Sequence, residues 1–217
     1  MMMKTFFAML VAAGAVAVQA APSGPIFTEN FEKAELEKVP EGMLVLDGAF
    51  AVKAEGGGRF LELPGAPLET FGVLFGPSQG ADVMVGARIF GTGKGRRFPV
   101  FGVGLNGVGG YRLQVAPAKK TLDLYKGEDL KASAPLVWES GKWTHLRLRI
   151  TSLNEGSLVI EGKAWLEGAA EPAAWAIRHT EDGALPPGRA SIWGNPFSDT
   201  PIRFDDLTLT PADKTGK

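Results

Sequence analysis

GKAWLEGAAEPAAWAIRHTEDGALPPGRASIWGNPFSDTPIRFDDLTLTP, residues Gly162–Pro211, decides the class of this chain. Short runs of alternating apolar and polar residues are separated by turns bearing Gly and Pro, and a period of two puts successive side chains on opposite faces of a strand. In the closing run, Ile202 and Phe204 share one phase, Leu207 and Leu209 the other, and Asp205 and Asp206 stand at the break. A phase slip inside a strand predicts a β-bulge there.

The pattern extends outward from this stretch. The 29 glycines and 15 prolines are spread along the chain rather than gathered in a linker, as many short strands, each needing a turn, require. No window of useful length has apolar residues at helical spacing without an internal Gly or Pro. Phe31–Val39 comes nearest and is read as a loop or single turn. Predicted strands include Ile26–Phe31, Asp82–Phe90, Val100–Leu105, Tyr111–Val115, Thr121–Tyr125, Leu136–Glu139, Trp175–Thr180 and Ile202–Thr210. This number of strands makes an all-β chain, a two-sheet antiparallel β-sandwich.

Residues 1–20 carry one charge, Lys4, then the apolar run Phe6–Val18, then small residues around Val18 and Ala20. That is the pattern of a signal peptide cleaved before Ala21. The run is shorter than the roughly 20 residues of a spanning helix, so export to the periplasm or cell exterior is expected, with no stable membrane insertion after cleavage. Residues 21–211 are expected to form one sandwich domain, followed by a disordered tail at 212–217. The absence of cysteine excludes disulfides, thiolate chemistry and Cys-bound metals. A net charge of −1 argues against nucleic acid or an anionic membrane as a partner held by bulk charge.

The clearest strand pair lies in the middle. In Trp143–Thr151, Leu146, Leu148 and Ile150 point inward while Trp143, His145, Arg147 and Arg149 point outward; Leu158–Glu167 places Glu161, Lys163 and Trp165 outward in the same way. Symmetrical closure through Ser152–Ser157 would pair Trp143 with Trp165, His145 with Lys163, Arg147 with Glu161 and Arg149 with Val159. Tryptophan on a polar strand face is the sign of a sugar platform: the indole meets the C–H face of a pyranose, and neighbouring His, Arg and Lys hydrogen-bond its hydroxyls. The competing reading buries these rings in a satellite core. Tyr111, Arg112 and Gln114 form a second candidate patch, with Tyr111 also placed as a core residue.

Catalytic templates find little support. The only histidines, His145 and His179, are read as ordinary surface or satisfied residues, and no Gly-x-Ser-x-Gly elbow occurs. The segment Gly91–Arg97 (GTGKGRR) lacks the phosphate-loop spacing and is read as a basic hairpin loop. Glu128 with Asp129, and Glu181 with Asp182, are read as solvated loop charges. Glu161 and Glu167 share a face but lie roughly 20 Å apart along a strand, beyond the roughly 5 to 9.5 Å of glycoside hydrolysis.

Five stretches together, IFTENFEKAELEKVPEGMLVLDGAFAV (Ile26–Val52), GYRLQV (Gly110–Val115), TLDLYKG (Thr121–Gly127), GKWTHLRLRI (Gly141–Ile150) and IRFDDLTL (Ile202–Leu209), resemble the successive strands of the concanavalin A-like jelly rolls. That superfamily includes laminin G-like modules and 3-keto-disaccharide hydrolase-like domains. The resemblance implies two curved sheets and, on many relatives, a carbohydrate-binding face. The Glu-x-Asp-x-Glu strand of the family's glucanases is absent. The glucanases' structural calcium position resembles Asp205 with Gly48 and Glu29, implying Ca²⁺ bound by oxygen ligands. The expectation is an exported, non-catalytic carbohydrate-binding domain whose partner is a glycan held by Trp143, His145, Arg147, Lys163 and Trp165. The alternatives are a glycoside-cleaving enzyme of the 3-keto-disaccharide type and a cell-envelope protein-interaction module.

Overall fold

A computed structural model describes residues 24–66, 69–154 and 156–212, so the expected signal peptide, its cleavage site and residues 213–217 lie outside the described residues. In chain order the strands are β1 (Phe27–Glu29), β2 (Leu44–Asp47), β3 (Ala51–Glu55), β4 (Gly58–Leu63), β5 (Phe71–Gln79), β6 (Val83–Gly91), β7 (Val100–Leu105) and β8 (Tyr111–Ala116). They continue as β9 (Thr121–Lys126), β10 (Asp129–Pro135), β11 (Trp143–Asn154), β12 (Ser157–Leu166), β13 (Ile177–Asp182), β14 (Gly188–Asn195) and β15 (Ile202–Pro211). No helix occurs among the described residues, and Phe31–Val39 is a run of turns and bends.

β15 organises the larger sheet. Along one edge it pairs with β6; along the other, Ile202–Phe204 pair with β4 and Leu207–Leu209 pair with β1. The register shifts between Asp205 and Thr208, and Asp206 takes a left-handed φ of 49°. The bulge therefore sits where β15 changes partner, and it returns Leu207 and Leu209 to the core side occupied by Ile202 and Phe204; all four are fully buried. The resulting eight-stranded sheet runs β13-β12-β11-β6-β15-β4-β3, with β1 beside β15. The second sheet runs β10-β9-β8-β7-β14-β5-β2, and every strand pair is antiparallel.

The core fills the gap between the sheets. Leu146, Leu148, Ile150 and Ile160 of the larger sheet are buried with Val103, Leu113, Val115, Leu122 and Ile192 of the other, each such side chain contributing about 1.5 to 3 kcal/mol when fully removed from water. At Gly162 the sheets approach closely, since a Cβ there would come within 2.4 Å of the Leu113 side chain.

Three expectations need correction. First, β11 and β12 pair His145 with Trp165, Arg147 with Lys163 and Arg149 with Glu161, two residues away from the symmetrical closure. Strand pairing persists to Asn154 and Ser157 with a register shift after Ser152, so the turn is tighter than Ser152–Ser157. A two-residue slip preserves the face of every side chain. Second, Leu136–Glu139 is not a strand; its apolar pattern reflects Leu136 and Trp138 packing against the core, and the edge strand is the preceding β10. Third, Glu181 and Asp182 belong to β13, and Asp129 opens β10, rather than lying in loops.

Candidate functional site

The outer face of the eight-stranded sheet carries the five residues marked by the alternation of β11 and β12, and each is engaged within the protein. Trp143 lies 6.4 Å from Phe60 and 5.5 Å from Phe90 between ring centroids, with the Arg88 guanidinium 4.7 Å from its own ring. Trp165 is stacked on His145 at 5.1 Å and an interplanar angle of 9°, and His145 Nε2 lies 2.5 Å from Glu167 Oε2. Arg147 donates to Glu171 at 2.9 Å. Lys163 is buried, donates to the Pro172 carbonyl at 2.7 Å and lies 4.6 Å from the Trp175 ring, over which Arg149 also sits, at 4.7 Å. Residues of the β12–β13 connection thus cover the polar face of the hairpin. What stays open is a notch of about 160 Å³ beside Gly86, lined by Arg88, His145, Arg147, Trp165 and Thr208.

The calcium positions are also committed locally. Asp205 is only 4% exposed; it accepts from Arg88 Nη2 at 2.6 Å and from the Asp206 amide at 2.7 Å. Burial pushes its carboxyl above the usual carboxylate range, and the bonds from Arg88 and the Asp206 amide act against that push. Glu29 accepts from the Phe31 amide at 2.6 Å, and Gly48, at φ 104°, donates its amide to Asp47 at 2.7 Å. No group of three or more His, Asp or Glu among the described residues could hold a metal ion. With a guanidinium already neutralising Asp205, this donor set does not fit calcium.

Tyr111 belongs to the core, 1% exposed, and its hydroxyl donates to Glu181, which also accepts from Lys126. His179 Nε2 lies 3.5 Å from the same carboxylate. Burial acts to raise the Glu181 pKa, but the Lys126 and Tyr111 bonds outweigh it and hold the carboxyl down at about 2. Burial, reinforced by Glu181, pushes the Tyr111 phenol above its ordinary value. This cluster ties β13 of one sheet to β8 and β9 of the other.

The outer face of the seven-stranded sheet is organised differently. Its registers align Asp123, Gln114, Gly102, Trp193 and Gly72 in one row across β9, β8, β7, β14 and β5, and Tyr125, Arg112, Gly104, Ser191 and Leu74 in the next. Gly72, Gly102 and Gly104 are buried, and the absence of side chains at Gly72 and Gly104 lets the Trp193 indole lie flat on the backbone. A Cβ on Gly72 would come within 2.7 Å of the Trp193 ring, and one on Gly104 within 2.4 Å of Ser191 Oγ. Trp193 is held by its Nε1–H donating to Ser191 Oγ at 2.7 Å. The Arg112 guanidinium lies 5.4 Å from the Tyr125 ring and 5.6 Å from the Trp193 ring, and Asp123 accepts from Ser133 Oγ at 2.6 Å. Sequence reading marked Arg112 and Gln114 but missed Trp193, Tyr125 and Asp123. The legible signal was FGVGL, Phe101–Leu105, in which glycines occupy the outward positions between buried Phe101, Val103 and Leu105.

No family model matches the chain, and no curated protein matches it. Solved structures do. Carbohydrate binding module CBM66 from Bacillus subtilis is 14% identical, with a TM-score of 0.55 over 78% of this chain and 95% of that one. The metal-free carbohydrate recognition domain of Emp46p is 13% identical, with a TM-score of 0.60 over 85% and 95%; the same domain is also known in a potassium-bound form. A prokaryotic β-1,3-1,4-glucanase (lichenase) from a mouse hindgut metagenome is 11% identical, with a TM-score of 0.52 over 85% and 98%. These likenesses define the fold: the chain is a concanavalin A-like β-sandwich.

Proposed function

We propose that this protein is an exported, non-catalytic carbohydrate-binding domain whose ligand lies on the outer face of the seven-stranded sheet. The observation that carries the reading is Trp193, an indole fixed by Ser191 over a glycine floor and flanked by Arg112. The glycines let the indole lie flat on the sheet, its half-buried outer side offers a pyranose an apolar surface, and the half-buried Gln114 and Arg112 supply donors and an acceptor for hydroxyls. Carbohydrate-binding modules and lectin domains among the proteins of this fold support the reading. Export rests on residues 1–20 of the sequence.

Binding is preferred to cleavage because, among the described residues, Asp123 is the only acid on the outward positions of β7, β8, β9 and β14, whereas glycoside hydrolysis uses a carboxylate pair. The notch beside Gly86 supports a second reading, in which Trp165, His145 and Arg147 take the sugar. Neither reading requires calcium.

Binding of the purified protein to a panel of immobilised polysaccharides, with released sugar measured in parallel, tests the proposal. Wild-type protein should bind without releasing sugar, Trp193→Ala should lose at least about tenfold in affinity, consistent with the 1.4 kcal/mol scale of an aromatic contact, and Trp165→Ala should bind as wild type. Loss in Trp165→Ala alone would move the ligand to the other sheet. Sugar release would make the protein an enzyme, and silence across the panel would favour a protein partner in the cell envelope.

A further inference from the structure

We propose that the ligand of the seven-stranded face is an anionic saccharide, with Arg112 as the receptor for its carboxylate or sulfate group; this deepens the carbohydrate-binding reading and rests on it. Arg112 differs from the other arginines on the sheets. Arg88, Arg147, Arg149, Arg178 and Arg203 each donate to a carboxylate, and Arg59 and Arg189 donate to backbone carbonyls. Arg112 makes no hydrogen bond or ion pair among the described residues, although its Nε is shut off from solvent.

The acid in the adjacent row does not relieve it. Asp123, 2% exposed, is bonded to Ser133 and lies opposite Gln114 rather than Arg112. Two rings instead hold the guanidinium, Tyr125 at 5.4 Å and Trp193 at 5.6 Å. Aromatic rings fix the orientation of a guanidinium without using any of its five N–H donors. A planar fork kept in place with its donors unspent suits a planar or tetrahedral oxyanion, which takes two parallel N–H bonds, better than a hydroxyl, which takes one. The pyranose bearing that group would rest on Trp193, the same indole that flanks Arg112. Gln114, two residues along β8 on the same face, adds donor and acceptor capacity without changing the charge.

The test measures affinity of the full chain for polygalacturonate and alginate, for the same polymers after carboxyl reduction, and for a sulfated polysaccharide without carboxylates, such as carrageenan. Wild-type protein should prefer an acidic polymer to its reduced form by about tenfold, the usual scale for one charge-assisted bidentate contact, and the preference should shrink as salt screens the charge. Arg112→Gln should erase the preference, and Arg112→Lys, which keeps the charge but loses the fork, should restore only part of it. Whichever polymer class loses binding in Arg112→Gln identifies the oxyanion as carboxylate or sulfate. Equal wild-type affinity for the acidic and reduced polymers overturns the inference, whatever the variants do. Binding of neutral glycans that is lost in Trp193→Ala and intact in Arg112→Gln overturns it while leaving the carbohydrate reading standing; no binding to any polymer overturns both.

Discussion

Single residues set the character of each surface of this sandwich. Trp143 and Trp193 are both tryptophans on outward strand positions, yet one is packed between Phe60 and Phe90 under a cation while the other lies over glycines. Neighbours on adjacent strands decide the difference. Glu181 is a second case, in which a polar residue has a structural role: with its pKa depressed from 4.5 to about 2, it stabilises the folded state above its unfolded pKa. That contribution is lost as pH falls from 4.5 towards 2. The side chain is 24% exposed, and the part of its linkage lost between pH 7 and pH 3 is about 2 kcal/mol. Urea unfolding at these two pH values should therefore show a steeper acid loss in wild type than in Glu181→Gln, by about that amount. Parallel acid dependence in the two proteins would mean that Glu181 carries no linkage.

At the scale of elements, the glycines of β7 make a sharper claim than its apolar residues. A Cβ at Gly102 would lie 2.2 Å from the Leu113 carbonyl oxygen, so β7 and β8 would have to part to admit it. Gly102→Ala should cost about 3 kcal/mol, within the range for strained or overpacked sites, and lower the melting temperature by several degrees; a melt unchanged to within a degree would contradict the packing described. The bulge of β15 was legible in the sequence, because Ile202, Phe204, Leu207 and Leu209 cannot all face the core without an extra residue at Asp205–Asp206. The faces of β11 and β12 were legible for the same reason, since alternation assigns a side. Register was not, because the turn that sets it can slip by two residues without moving any side chain to the other face. Nor was the state of the outward residues: the acid that occupies both Arg147 and Lys163 is Glu171, in a connection whose path no alternation encodes.

For the whole molecule, the two sheets present outer faces of opposite kinds. The eight-stranded sheet pairs its charges with one another and covers its hairpin with the β12–β13 connection, whereas the seven-stranded sheet keeps an indole lying on glycines and a guanidinium with no hydrogen-bond or ion-pair partner among the described residues. The signal peptide assigned to residues 1–20 carries its own expectation: protein recovered from the periplasm or medium should begin at Ala21 by mass spectrometry, and an intact Met1 in that fraction would contradict cleavage there. The central claim, that sugar binds over Trp193, is tested most directly by following the indole N–H resonances of the five tryptophans by two-dimensional NMR during titration with oligosaccharides of the polymer that binds. The account predicts that the Trp193 resonance shifts, as its bond to Ser191 senses the ligand, while those of Trp143 and Trp165 stay in place; a shift confined to Trp165, or no shift in Trp193 at saturation, would contradict it.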